Sequence, residues 1–165
     1  MRRNCSMIKR IGMLTSGGDC QALNATMRGV VKALSNTVDD LEVYGFDDGY
    51  KGLIYGKYRM LTAKDFSGIL TRGGTILGTS RQPFKLMRVP DEKGLDKVEA
   101  MKQTYYKLCL DCLVILGGKH TVFAVDQSLI SIIKAINFQV INTVGKPFYN
   151  ASHGGIQSLT VTATC

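Results

Sequence analysis

The sequence predicts an α/β chain, a three-layer αβα sandwich on a mostly parallel sheet, and three observations point there. Strand-like runs alternate with helix-like ones, the order expected of βα units. Glycine corners follow the strand-like runs, as short connections between layers require. The run LVIL at 113–116 is apolar at every position, which suits a central parallel strand covered on both faces.

Taken in order, RIGMLT (10–15) reads as the first strand and runs into Ser16, Gly17, Gly18 and Asp19. Leu23, Met27, Val30, Val31 and Leu34 then recur at three- and four-residue spacing, which is helical periodicity. LEVYGF (41–46) is a second strand, ending in the turn-rich stretch 47–52. Thr62 can cap a short helix over 63–70, because its hydroxyl can accept an orphan backbone N–H. A third helix is expected over 94–108, with Val98, Met101, Tyr105 and Leu108 on one side. It leads to a strand over 111–116 and then to Gly117 and Gly118. Beyond Gly118 the composition changes: in 119–165 only Lys119, Asp126, Lys134 and Lys146 are charged. An apolar helix over 123–137 and a strand over 138–144 are expected there, and 145–165 shows no clear element.

Composition narrows the functional classes. The chain has 165 residues, 45% hydrophobic and 21% charged, which excludes disorder throughout and allows a core without staples. No run approaches the roughly 18 apolar residues of a membrane span. The basic start MRRNCSMIKR lacks the apolar run of a secretory signal, so a cytoplasmic protein is expected. The five cysteines show no framework spacing and read as free thiols, with Cys109 and Cys112 as two small half-buried residues. Net charge is +8, but the basic residues are spread from Arg2 to Lys146 without clustering. That favours phosphate-bearing small molecules over nucleic acid or a membrane.

Three glycine-rich segments fall at strand ends or between them: 16–19, 72–81 and 117–118. Ligands of open parallel sheets sit beyond the carboxyl ends of the strands. Gly17 and Gly18 precede a helix, whose amino terminus offers unpaired N–H groups to an anion; a plain tight turn would use the same pair. The segment RGGTILGTSRQPFK (72–85) sets three glycines beside Arg72 and Arg81, and an arginine fork matches phosphate geometry. The stretch LGGKHT (116–121) is not a P-loop: Leu113 stands where the first glycine should be, and His120 follows Lys119. His120 and His153 read as surface residues.

The ordered set IGMLTSGGDCQALNATMRGVVKAL, EVYGFDDGYKGL, RGGTILGTSRQPF and LVILGG resembles the amino-terminal half of the 6-phosphofructokinase family, across residues 7–118. The resemblance implies a nucleotide-binding half-domain over 1–118 and a divergent tail over 119–165. It implies phosphoryl transfer from ATP, or pyrophosphate in some members, to fructose 6-phosphate with Mg²⁺, in glycolysis, and a homo-oligomer. Carried over by position, Gly18, Arg81, Gln82 and Gly118 face the donor phosphates. Arg28 and Arg59 match arginines that bind an effector nucleotide in allosteric bacterial members, whereas Lys32 stands where another arginine is common.

The departures are as specific as the matches. The family places a Mg²⁺-holding Asp directly after Gly118, where this chain has Lys119. The next position separates ATP-using members (Gly) from pyrophosphate-using ones (usually Asp), and here it is His120. The TIDND-type segment that supplies the catalytic base has no counterpart, and Asp126 is the sole carboxylate in 119–165. The expectation is therefore a truncated, catalytically impaired phosphotransferase whose reading frame was lost or recombined at Gly118. The competing expectations are a non-catalytic nucleotide- or phosphate-binding module and a fragment without function.

Overall fold

The computed structural model describes residues 8–17, 22–80, 84–87, 89–117 and 138–142. Strand β1 (Lys9–Ser16) is the middle of a five-stranded sheet of order β3-β2-β1-β4-β5. Its neighbours β2 (Leu41–Phe46) and β4 (Cys112–Gly117) both run parallel to it. β5 (Phe138–Asn142) adds in parallel to β4, and the edge strand β3 (Tyr58–Leu61) is antiparallel to β2. The sheet is thus mostly parallel, as the glycine-corner pattern predicts.

Period-two alternation splits the strands between two cores. Ile11 and Met13 of β1, Val43 of β2, and Val114 and Leu116 of β4 face helix α1 (Ala22–Ser35), whose Leu23, Met27, Val30 and Val31 complete that layer. Leu14, Phe46, Leu113 and Ile115 face the other way, onto α2 (Tyr50–Tyr55) and α4 (Lys97–Lys107) through Leu53, Ile54, Met101 and Tyr105. A four-residue helix α3 (Phe84–Met87) lends Met87 to this second layer. Helices therefore cover both faces, which is the expected sandwich.

Four local departures have physical causes. No helix forms over 63–70: the Thr62 N–H and hydroxyl both donate to the Asp65 carboxylate (2.7 and 2.8 Å), and successive three-residue turns follow. Phe66 and Ile69 still anchor that stretch in the α1-side core. Helix α2 was hidden within a turn-rich stretch because it is a six-residue element carrying a glycine. Helix α4 starts three residues late because Asp96 caps it, accepting from the Val98 and Glu99 N–H groups (2.9 and 3.1 Å). Finally, β3 is too short to show a period. Cys112 is half-buried as expected, with burial pushing its thiol up to about 11, but Cys109 is exposed. The expected helix over 123–137 lies outside the described residues. Among the described residues no helix is long and apolar enough to cross a membrane.

Candidate functional site

β1, β2 and β4 are parallel, so all three end on one rim of the sheet. At that rim Ser16 of β1 lies in register with Gly117 of β4. The connection leaving β1 runs through α1 on one face, whereas β4 is entered from α4 on the other face. The β1/β4 boundary is therefore the point where chain direction across the sheet reverses, and such crevices are where α/β sheets hold ligands.

The glycine-rich loop that begins at Arg72 is drawn onto this rim by side chains of β1 and α1 and by backbone groups after β1 and β2. Thr15, fully buried, donates its hydroxyl to the Gly78 carbonyl (2.6 Å). Its proton being spent there, the Thr75 hydroxyl donates to Thr15 Oγ1 across 3.2 Å, while Thr75 Oγ1 accepts from the Leu77 N–H (3.2 Å). The Gly17 N–H donates to Thr79 Oγ1 (2.8 Å), binding the first glycine corner to the loop. From α1, Asn24 Nδ2 donates to the Arg72 carbonyl (2.9 Å) and Oδ1 accepts from the Ile76 N–H (3.0 Å). From the end of β2, the Asp48 N–H donates to the Leu77 carbonyl (2.8 Å) and the Ser80 hydroxyl donates to the Asp48 carbonyl (2.6 Å).

Two glycines make these approaches possible. Gly49 has φ +65°, and a Cβ there would overlap the Thr15 carbonyl oxygen. Gly45 leaves room on β2 for Leu77, whose Cδ2 would lie 2.6 Å from an added Cβ. Leu77 is only 2% exposed and plugs the loop into the α1-side core.

The donor-facing residues expected from the resemblance, Gly18, Arg81, Gln82 and Gly118, all lie outside the described residues, as do Asp19, Lys119, His120, Asp126 and His153. Their described chain neighbours Gly17, Ser80 and Gly117 end on the one rim. Arg28 and Arg59 are described and stand elsewhere. Arg28 Nη1 donates to the Phe66 carbonyl (2.6 Å). Arg59 pairs with Asp47 (3.5 Å) and donates to the Ile76 carbonyl (2.9 Å), bracing the loop from the sheet edge. Sequence reading missed Asn24 and Thr15. The signal was present: Asn24 sits on the apolar stripe of α1 with Met27 and Val31, and Thr15 follows Ile11 and Met13 on one strand face.

The hydroxyls and N–H groups named above are spent on holding the loop, so what the rim brings together for an anion is its glycine corners, where backbone can approach phosphate oxygens closely. Asp48 also brings an exposed carboxylate to the rim, which is no anion donor. Among the described residues no three His, Cys, Asp or Glu side chains gather around a common metal position.

An αβα sandwich with glycine corners converging at the switch point of its parallel strands defines a class of proteins, the doubly wound α/β folds. Within it, the family model for phosphofructokinase matches residues 10–147, and the chain belongs to that family. The chain is 53% identical over 120 residues to an ATP-dependent 6-phosphofructokinase of Spirochaeta thermophila, covering 68% of this chain and 31% of that one. It is 40% identical over 141 residues to ATP-dependent 6-phosphofructokinase 3 of Bacteroides thetaiotaomicron, covering 81% and 41%. The chain thus spans about a third of the length of the curated relatives it matches. Among solved structures, Saccharomyces cerevisiae phosphofructokinase aligns with TM-score 0.61 at 28% identity, covering 77% of this chain and 17% of that one. Pichia pastoris phosphofructokinase in the T-state shares the fold with TM-score 0.65 at 24% identity, covering 86% and 17%. The family match runs past Gly118, so Lys119 and His120 lie inside the matched span.

Proposed function

We propose that this chain is a donor-binding half of a 6-phosphofructokinase-type phosphotransferase, one that holds the polyphosphate of ATP or pyrophosphate but is impaired in transferring it to fructose 6-phosphate. One observation carries the reading: at the β1/β4 switch point the Gly17 corner, the end of β4 at Gly117 and the loop tied to Thr15 share one rim. In this reading Gly18, Arg81, Gln82 and Gly118 face the donor phosphates, and Arg28 and Arg59 serve an effector nucleotide.

The donor set does not fit Mg²⁺. A hard divalent cation takes oxygen ligands, and the position that follows Gly118 is Lys119, an ammonium. Asp47, in the turn after β2, is already paired with Arg59, and among the described residues no three His, Cys, Asp or Glu side chains gather around a common metal position. No step is therefore derived through the metal. Phosphoryl transfer relies on positioning and on stabilising charge, and general-base catalysis adds typically about 10²–10⁴-fold. With neither the metal carboxylate nor a base segment in 119–165, binding should outlast turnover.

The test pairs binding with turnover. Calorimetry with pyrophosphate and the β,γ-imido analogue of ATP should report binding. Incubation with fructose 6-phosphate, Mg²⁺ and either donor should yield almost no fructose 1,6-bisphosphate. Turnover at the rate of an ordinary kinase would overturn the impairment, and absence of binding to both probes would overturn the reading itself.

A further inference from the structure

Tyrosines aside, four polar side chains are buried among the described residues: Thr15, Asn24, Thr26 and Thr104. Two of them are satisfied at home, since Thr26 and Thr104 donate to carbonyls four residues back in their own helices, Ala22 (2.8 Å) and Ala100 (3.1 Å). The other two reach across the chain, and both are spent on the same loop, Thr15 at Gly78 and Asn24 at Arg72 and Ile76. Burying an amide costs free energy unless both ends are paired. Asn24 is 0% exposed, and each end meets a group that can play only one part, a carbonyl that accepts and an N–H that donates. Its orientation is therefore unambiguous, and neither Leu nor Asp can reproduce it.

Asn24 is also the third residue of α1, the helix that begins just after the first glycine corner. One side chain thus joins the element leaving that corner to the start of the loop that leads to Arg81. Resting on the donor-binding reading above, we propose that Asn24 is a positioning residue: it fixes the loop against α1 so that the two glycine segments keep one spacing across the rim. It touches no ligand itself. Thr15 holds the far end of the same loop, and Asn24 sets the near end.

Hydrogen exchange followed by mass spectrometry on the full chain tests the clamp, together with calorimetry using pyrophosphate. In Asn24→Leu, exchange in the segment Ile76–Thr79 should quicken at least about ten-fold while amides of β1, β2 and β4 keep their protection, and pyrophosphate affinity should weaken at least about ten-fold. Asn24→Asp still accepts from the Ile76 N–H but sets a carboxylate against the Arg72 carbonyl. It should therefore retain protection at Ile76 yet lose affinity, and it serves where the leucine variant does not fold. Unchanged loop exchange in Asn24→Leu, exchange quickened equally throughout the sheet, or unchanged affinity in Asn24→Asp would each overturn the proposal. A wild-type chain that binds no pyrophosphate, with the loop still loosened in the leucine variant, would defeat the functional reading and leave the mechanical clamp standing.

Discussion

Replacing Tyr50 by phenylalanine should stabilise the protein. Tyr50 opens α2 and is 2% exposed, packed in the core that includes Leu14, Leu53, Ile54 and Met87. Among the described residues its hydroxyl is the one buried side-chain polar atom without a hydrogen-bond partner. Burial pushes its phenol far above the ordinary range. An unsatisfied buried hydroxyl costs about 1–3 kcal/mol. Deleting one oxygen forfeits only a few dispersion contacts, each about 0.1–0.2 kcal/mol. The net gain for Tyr50→Phe is then about 1–2 kcal/mol. For a chain of this size each kcal/mol moves Tm by about 2–4 °C, so a rise of roughly 2–8 °C is expected by circular dichroism melting. The urea midpoint should rise with an unchanged slope. Tyr50→Leu, which removes the ring, should instead lower Tm by leaving a cavity. A fall in Tm for Tyr50→Phe would mean that the hydroxyl has a partner, and would refute the reasoning.

Two further perturbations read other parts of the structure. Gly45→Ala places a methyl 2.6 Å from Leu77 Cδ2 and 2.7 Å from Leu61 Cδ1, both buried; overpacking of this kind costs about 1–3 kcal/mol. Melting should show the loss, and the Asp48 amide, bonded to the Leu77 carbonyl, should exchange faster than β4 amides; an unshifted Tm would count against the packing. Acid should weaken the fold through carboxylates held below their ordinary range. These are Asp91 by the Leu95 and Lys93 N–H groups, Asp65 by the Thr62 N–H and hydroxyl, and Glu42 by Arg10. Since their folded pKa values lie below the unfolded ones, their contribution is complete above about pH 5 and drains away as pH falls through the lower folded values. Asp91→Asn should flatten that acid limb of the Tm profile while a profile unchanged from wild type would exclude Asp91 as a contributor.

The sandwich was legible because α1 repeats its apolar residues at helical spacing while β1, β2 and β4 are short apolar-rich runs bounded by turn residues, and their bounds fall within two residues of expectation. The four-residue β3 and the six-residue α2 were not: a strand of four and a helix of under two turns have too few positions for their period to show, and α2 contains Gly52 because a Cβ there would meet the Asp47 backbone. Capping chemistry misled at Thr62, whose hydroxyl is claimed by Asp65 three residues on. That the corner after β1 and the end of β4 share one rim followed from parallel topology alone, since strands that run together end together. What held the 72–80 loop there did not follow, because Asn24 and Thr15 find their partners about 48 to 63 residues away along the chain, a distance local pattern does not encode. Their only local trace is being polar on apolar faces.

The position of Lys119 turns the family's departure into a testable property. Lys119 follows directly on Gly117 and Gly118, and Gly117 lies beside Ser16 at the switch point. On the donor-binding reading proposed above, a carboxylate after Gly118 would recruit a divalent cation to neutralise donor phosphates, and an ammonium there would instead supply positive charge to those phosphates directly, as lysines of phosphate-binding loops do. Polyphosphate binding by this chain should therefore be independent of Mg²⁺: affinity for pyrophosphate measured with excess chelator should stay within about two-fold of that with Mg²⁺ present. Lys119→Asp reverses the sign of the charge, and two unit charges about 4 Å apart near a protein surface interact by about 4 kcal/mol. About a third of that equals the 1.4 kcal/mol of a ten-fold change in affinity, so the variant should lose binding in chelator and regain it with Mg²⁺. Wild-type binding that collapses in chelator would show that a cation is held there despite the lysine, and that the charge at Lys119 does not act on the donor.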